Sequence, residues 1–267
     1  MLFITKLRYI NGEKLKNIED IKEFLEQKTI EFNRSAFIPN DPISIPHQFQ
    51  IKEDIEISAF LTATISWGNR VSILKSAQNI MQLMDHAPFD FTINHTDNDL
   101  KKITGFVHRT FNATDLLGFI ACLNNIYKNH GGLESVFSQC KELELNLEQL
   151  PKVFFSIDVP ERSKKHLANI CKGSAAKKIN MFLRWMVRKD DNGVDFGIWK
   201  SIKSSQLFLP LDVHSGRVAR ELGLLNRKQN DWKSVVEVTE KLRAFDKNDP
   251  IKYDYALFGI SAIKSFT

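Results

Sequence analysis

Apolar positions recur at three- and four-residue spacing along most of this chain, and the alternation expected of strands is scarce. Residues 54 to 66 (DIEISAFLTATIS) and 71 to 84 (VSILKSAQNIMQLM) each predict a helix, with a break at Trp67-Gly68-Asn69 between them. Residues 114 to 129 predict a third, with Thr114 as N-cap and Gly131-Gly132 as the stop. The same pattern continues at 161 to 171, 176 to 189, 213 to 222, 231 to 243 and 250 to 263. A short N-terminal helix around residues 18 to 26 comes first, and residues 30 to 50, with Pro39, Pro42 and Pro46, predict an extended connection after it. Asp190 to Gly193 predicts a turn. The fold class expected is all-α, without internal repeats and without a low-complexity linker.

With 267 residues and 43% apolar content, the chain can fill a real core. No stretch approaches the roughly 18 apolar residues of a membrane span, and the start turns charged before a signal-peptide core could form. The expectation is a cytoplasmic protein with no membrane partner. Cys122, Cys140 and Cys171 lie far apart, so no structural metal centre is expected and the thiols should stay reduced.

Charge changes the picture more through its distribution than its total. The net charge is +5, but between Glu161 and Lys203 eleven Lys/Arg face four acids, so that segment carries +7 and the rest of the chain −2. Such a concentration suits either a solvated helix face or a surface for phosphates, the source of sequence-independent DNA affinity.

Two stretches could carry chemistry. In LANICKGSAAKKINMFLRWMVRK, residues 167 to 189, a helix should end at Lys172-Gly173 and another begin, capped by Ser174, with Ile179, Phe182, Leu183 and Met186 on one apolar face. A tight turn into a helix start presents backbone N–H groups and the helix dipole to a phosphate. Lys177 sits in that first turn, where the dipole disfavours a cation. Two readings fit it: a cation meeting solvent or phosphate, or an amine nucleophile activated by partial burial and by neighbouring Lys172 and Lys178. The second stretch is LPLDVHSGRVARELGLL, residues 209 to 225, in which an apolar run delivers Asp212 to the start of a helix that Gly223 ends. Asp212 suits an N-cap, and a carboxylate held there by helix N–H groups stays ionised and can also stabilise a developing cation. His214 fits packing or hydrogen bonding better than metal ligation, since nothing at ligand spacing accompanies it.

The order and spacing of these residues resemble the helix–hairpin–helix DNA glycosylase superfamily. Gly173-x-x-x-Lys177 is similar to the hairpin whose Lys is the nucleophile of the bifunctional members, and Leu211-Asp212-Val213-His214 to the segment carrying their catalytic Asp. The Val-His form, and Lys177-Lys178 followed by Phe182-Leu183-Arg184, resemble the 8-oxoguanine glycosylase branch. Residues 249 to 258 look like the late helix lining its base pocket, which would place Asp254 at a base edge and Phe258 against its face. Trp67-Gly68-Asn69-Arg70 resembles the loop that contacts the base left behind by flipping. The likeness spans residues 54 to 263, and as a whole the chain looks closest to a bacterial family of unknown function. It departs from the superfamily at Ala175 in place of the second hairpin glycine, at an apparent insertion over Asp191 to Leu207, and at Asp254 in place of an amide.

The resemblance implies a two-lobed helical body with a central crevice. Residues 1 to 50 would be an N-terminal helix and extended connection, and residues 51 to 267 the glycosylase-like domain, with lobes at about 54 to 140 and 141 to 267 and the late helix packing back on the first lobe. It implies base-excision repair: a DNA glycosylase with lyase activity that flips and excises an oxidised purine such as 8-oxoguanine, with Lys177 as nucleophile and Asp212 beside it. No cofactor is required, the partner is duplex DNA carrying a damaged base, and a monomer is expected, nucleoid-associated when on DNA. DNA contacts would come from Lys172, Gly173, Ser174, Ala175, Lys178, Trp67, Asn69, Arg70, His214 and Arg217, and Arg70, His108 and Arg109 are candidate wedges. Two other readings stand beside this one. One is a non-catalytic DNA binder that keeps the hairpin; the other is an all-α protein-interaction domain whose basic face is solvated.

Overall fold

A computed structural model describes residues 8–10, 13–15 and 17–264. The described chain is all-α, apart from two short antiparallel pairs, β1 (Arg8–Ile10) with β2 (Glu13–Leu15) and β3 (Val107–His108) with β4 (Phe111–Asn112). The helices are α1 (Ile18–Phe32), α2 (Lys52–Thr64), α3 (Arg70–Leu83), α4 (Pro88–Asn94), α5 (Asp97–Lys102) and α6 (Ala113–Asn129) in the first half. The second half holds α7 (Leu133–Phe137), α8 (Leu143–Phe154), α9 (Lys177–Val187), α10 (Val213–Glu221), α11 (Trp232–Phe245) and α12 (Tyr253–Lys264). None of the described helices is long and apolar enough to cross a membrane.

The most deeply set helix is α2, buried from Asp54 to Thr64 with polar Ser58 and Thr62 among the apolar side chains. Its stripe is nearly continuous because neighbours cover it all round, with α9 on one side and α4 on another. Phe60 of α2 meets Phe182 of α9 edge-on at 5.3 Å and Phe154 of α8 at 5.3 Å. Phe182, Trp185 and Met186 of α9 are fully buried. Buried apolar side chains form one connected core from Leu15 to Ile260.

The N-terminal helix α1 packs against the late helix α12. Helix α1 runs to Phe32, beyond the expected end near residue 26, and packs along α12 so closely that a Cβ at Gly259 would lie 2.2 Å from the Phe32 ring. Residues expected to be extended instead wind into three 3₁₀ turns, Ser35–Asn40, Pro42–Ser44 and Pro46–Gln48. Proline fixes φ near −65°, which suits the first position of such turns as well as an extended chain.

Other differences are local and have local causes. The α6 cap is Asn112, not Thr114: its side chain accepts from the Asp115 N–H, and the Asp115 carboxylate accepts from the Asn112 N–H, a reciprocal box two residues earlier than expected. The expected helix at 161 to 171 is two 3₁₀ turns, Glu161–His166 and Ile170–Lys172. Ser163 and Arg162 are drawn onto the buried Asp115 carboxylate at 2.8 and 3.1 Å, and the Asn169 side chain caps the second turn. These side-chain bonds compete with helical continuation. The helices α4, α5, α7 and α8 are additional to the expected set.

Candidate active site

Three segments converge on one crevice of about 730 Å³: the turn into α9, the start of α10, and the wall formed by residues 37 to 42 with α12. Gly173 takes φ 82° after the Ile170–Lys172 turn, and its carbonyl accepts the Trp232 N–H at 3.2 Å, tying the turn to α11. Ser174 does not cap α9; its hydroxyl accepts the Ala176 N–H, and Ala176 itself stands at the N-cap with φ 48° and ψ 33°. A left-handed alanine costs about 1–2 kcal/mol, offset here by its burial against the core. The bend starts the helix at Lys177 and aims that side chain into the crevice.

Asp212 reaches the same place from the other side. The run Leu207 to Leu211 is buried, and it carries the chain to the N-cap of α10. There Asp212 Oδ1 accepts from the N–H groups of His214 at 2.8 Å and Ser215 at 2.9 Å, while the Ser215 hydroxyl accepts the Asp212 N–H at 3.0 Å. Its other oxygen, Oδ2, lies 3.1 Å from Lys177 Nζ. Burial pushes this carboxyl up, but the Lys177 ammonium and the two backbone N–H groups outweigh it, so the net shift is below the ordinary value. A charged, fixed carboxylate therefore stands against a lysine that is 35% exposed.

Lys178 points elsewhere than to a phosphate backbone. Its Nζ donates to the Thr64 carbonyl at 2.7 Å and lies 3.9 Å from the centre of the Trp67 ring. Burial, then the adjacent Lys177 charge, push its amine down to about 8. Trp67 lines the crevice between Lys178 and His166, whose ring stacks at 6.0 Å, instead of reaching outward as expected of that loop. Asn69 caps α3 through the Ser72 N–H, and Gly68 admits Arg109, whose guanidinium would meet a Cβ there at 2.5 Å. Asn69 and Arg109 line a separate shallow groove along α3. His108 is no wedge: it is buried and bonded to the Ser76 hydroxyl at 2.9 Å.

The far wall departs most from expectation. Asp254 lines the crevice but is ion-paired to Arg184, which is itself buried and also paired with Asp195 at 3.2 Å. Arg188 extends the network to Asp195, Asp249 and Asp190 at 3.1, 3.0 and 2.6 Å, and Tyr255 lies under both guanidinium groups. Burial pushes the Asp254 carboxyl up to about 6, with Arg184 opposing. Phe258 is half-buried, edge-on to Phe37 at 6.0 Å, with the Arg70 guanidinium over its ring at 5.4 Å, so its face is already occupied. The basic segment is correspondingly less basic at the surface than its sequence count, because Arg184 and Arg188 spend their charge inside. Exposed Lys172, Lys165, Ala175 at the turn, His214 at the crevice rim and Arg217 on α10 remain outward or half-outward.

The stretch Asp191 to Leu207, the apparent insertion, helps to hold the site's surroundings. Asp195 supplies the buried counter-ion to both arginines, and Trp199 fills the core with its indole N–H on Glu56 at 2.6 Å. Sequence reasoning missed Asp41, Arg184 and His166 as crevice-lining groups. Only Asp41 had a local signal, an Asp before Pro42, and that pattern points to a turn cap. Among the described residues no three His, Cys, Asp or Glu side chains converge to hold a metal ion.

No curated protein and no solved structure matches the chain significantly. A family model does, over residues 41–263, a stretch that runs from Asp41 through the Lys177–Asp212 pair to the end of the crevice wall on α12. The chain belongs to the family described as Protein of unknown function (DUF2400).

Proposed function

We propose that the protein is a DNA base-excision glycosylase with associated lyase activity, acting on an oxidised purine such as 8-oxoguanine. The observation that carries this reading is the 3.1 Å approach of Lys177 Nζ to Asp212 Oδ2, across 35 residues of sequence, on the wall of a crevice within the roughly 300–1,000 Å³ range of small-molecule sites. In the superfamily that the sequence resembles, these are the two residue types the chemistry needs. The helices on either side of the crevice would form the two lobes of such an enzyme.

A flipped nucleotide would place its anomeric carbon between the two side chains. Lys177 gives up a proton, which ends on the departing base, and its nitrogen bonds to C1′ as the C1′–N9 bond breaks with its electron pair leaving on the base. Asp212, kept ionised by its helix N–H groups, stabilises the positive charge that develops on the sugar. Ring opening then yields a Schiff base, whose C2′ proton is acidic enough for elimination of the 3′ phosphate. Helix α9 has no side-chain N-cap, so its dipole and first-turn N–H groups suit a DNA phosphate.

The occupied face of Phe258 and the Arg184-bound Asp254 favour the non-catalytic DNA-binding reading, and turnover separates the two. Borohydride trapping on a duplex with 8-oxoguanine opposite cytosine should give a covalent adduct with the wild-type chain and none with Lys177→Gln. An adduct of equal yield with Lys177→Gln would overturn Lys177 as the nucleophile. No adduct and no base release from a panel of damaged duplexes would overturn the enzyme.

A further inference from the structure

Among the described residues, Asp41 is the one crevice carboxylate without an ion pair. Its neighbours in charge all have one within 4 Å: Asp212 has Lys177, Asp254 has Arg184, and Asp195, Asp190 and Asp249 have Arg188. Asp41 is 8% exposed and lines the crevice, and among the described residues its side chain takes one hydrogen bond, from the Ile43 N–H to Oδ1 at 3.1 Å. Oδ2 takes no bond from a described residue. The backbone holds it still, with the Asp41 N–H on the Ile38 carbonyl at 3.0 Å and its own carbonyl accepting the Ser44 N–H at 2.9 Å. Pro42, also buried, stiffens the same turn.

The crevice leaves this oxygen free to accept from a donor that a ligand brings. Burial raises the Asp41 carboxyl above its ordinary value, against the Ile43 N–H, Arg184, Arg70 and Lys177. Its turn holds the Asp41 carboxyl in place at the aromatic wall formed by Phe37, Tyr255 and Phe258.

We infer that Asp41 is the specificity-determining residue of the crevice, and that it accepts the two adjacent N–H donors on the Watson–Crick edge of a guanine-type base. The inference rests on the proposed glycosylase function. An ionised carboxylate is acceptor-only. Guanine and its oxidised derivatives present N1–H beside the exocyclic amine, two donors in a row. Adenine sets an acceptor beside its amine, and thymine or uracil flanks a single donor with two carbonyls that repel a carboxylate. Asp254, expected at the base edge from the resemblance, has Arg184 on its carboxylate and is left to hold the wall.

The test is equilibrium binding at fixed salt to duplexes that differ at one nucleotide: 8-oxoguanine, 8-oxoadenine, or a tetrahydrofuran abasic analogue with no base to read. The proteins are the full chain, Asp41→Asn and Asp254→Asn. Wild type should prefer 8-oxoguanine over 8-oxoadenine by roughly 10- to 100-fold, the range of a bidentate base contact. Asp41→Asn replaces one acceptor with a donor and should abolish or invert that ratio, with abasic-duplex affinity within about twofold of wild type as the folding control. Asp254→Asn should keep the ratio. An unchanged ratio in Asp41→Asn with normal abasic binding overturns Asp41 alone, and so does a ratio lost only in Asp254→Asn. Failure of the wild-type chain to bind the abasic duplex above undamaged DNA overturns the glycosylase reading, and this inference with it.

Discussion

Replacing Asp212 by Asn separates the two jobs assigned to this residue, because the amide keeps one and loses the other. The cap survives: Oδ1 can still accept from the His214 and Ser215 N–H groups, and Asn ranks with Asp at N-caps. The ion pair with Lys177 is lost. With the lysine 35% and the aspartate 20% exposed, solvent screening keeps that pair near the top of the surface range, about 1 kcal/mol. For a chain of this size, such a loss lowers the melting temperature by about 2–4 °C. Base release should fall much further, by roughly 10²–10³-fold, the usual effect of removing one preorganised electrostatic group. Asp212→Ala should match Asn in activity and lose about a further 1 kcal/mol of stability, for the cap. The assays are single-turnover base release and thermal melting, each from pH 5 to 8. Because the folded carboxyl lies below its unfolded value, its stabilisation is fully present above about pH 4 and fades only as pH falls through the folded value, so the melting difference should be flat across this window. Wild-type base release by Asp212→Asn would refute the catalytic role and leave the cap and ion pair. Equal melting of the Asn and Ala variants would refute the cap.

Three further outcomes follow from the same geometry. Lys178 has its amine pushed down to about 8, so between pH 8 and 10.5 the unfolded chain binds more protons and stability should rise with pH, by on the order of 1–3 kcal/mol; Lys178→Met should remove that rise in pH-dependent melts while leaving borohydride trapping intact. Arg184→Met leaves Asp254 buried without its partner and Asp195 with Arg188 alone, and denaturant unfolding should report a loss of about 3–5 kcal/mol. Lys172 is exposed at the turn before α9, and Lys172→Ala should lower the slope of log affinity for DNA against log salt by about one without changing any lesion preference.

Apolar spacing made the helices α2, α3, α6 and α9 to α12 legible, and with the capping pattern it located Lys177 and Asp212 at helix starts. The short helices α4, α5 and α7 were not legible, because five to seven residues hold too few turns to show a period. Nor was the chain path at 161 to 172, where a distant carboxylate, Asp115, decides the backbone. The pairing of Lys177 with Asp212 was anticipated through resemblance, but its geometry depends on Ala176 in the left-handed region, which no propensity suggests. The role of charge was decided entirely in three dimensions. Eleven cations in one segment look like a surface, yet Arg184 and Arg188 turn inward to acids from α12 and from the segment before α10. One crevice carboxylate is thereby neutralised and another, Asp41, left open. Local sequence determines where helices begin and which face is apolar, because those depend on neighbours within a few residues. Which buried charge meets which depends on segments 70 residues apart, and only packing brings them within reach.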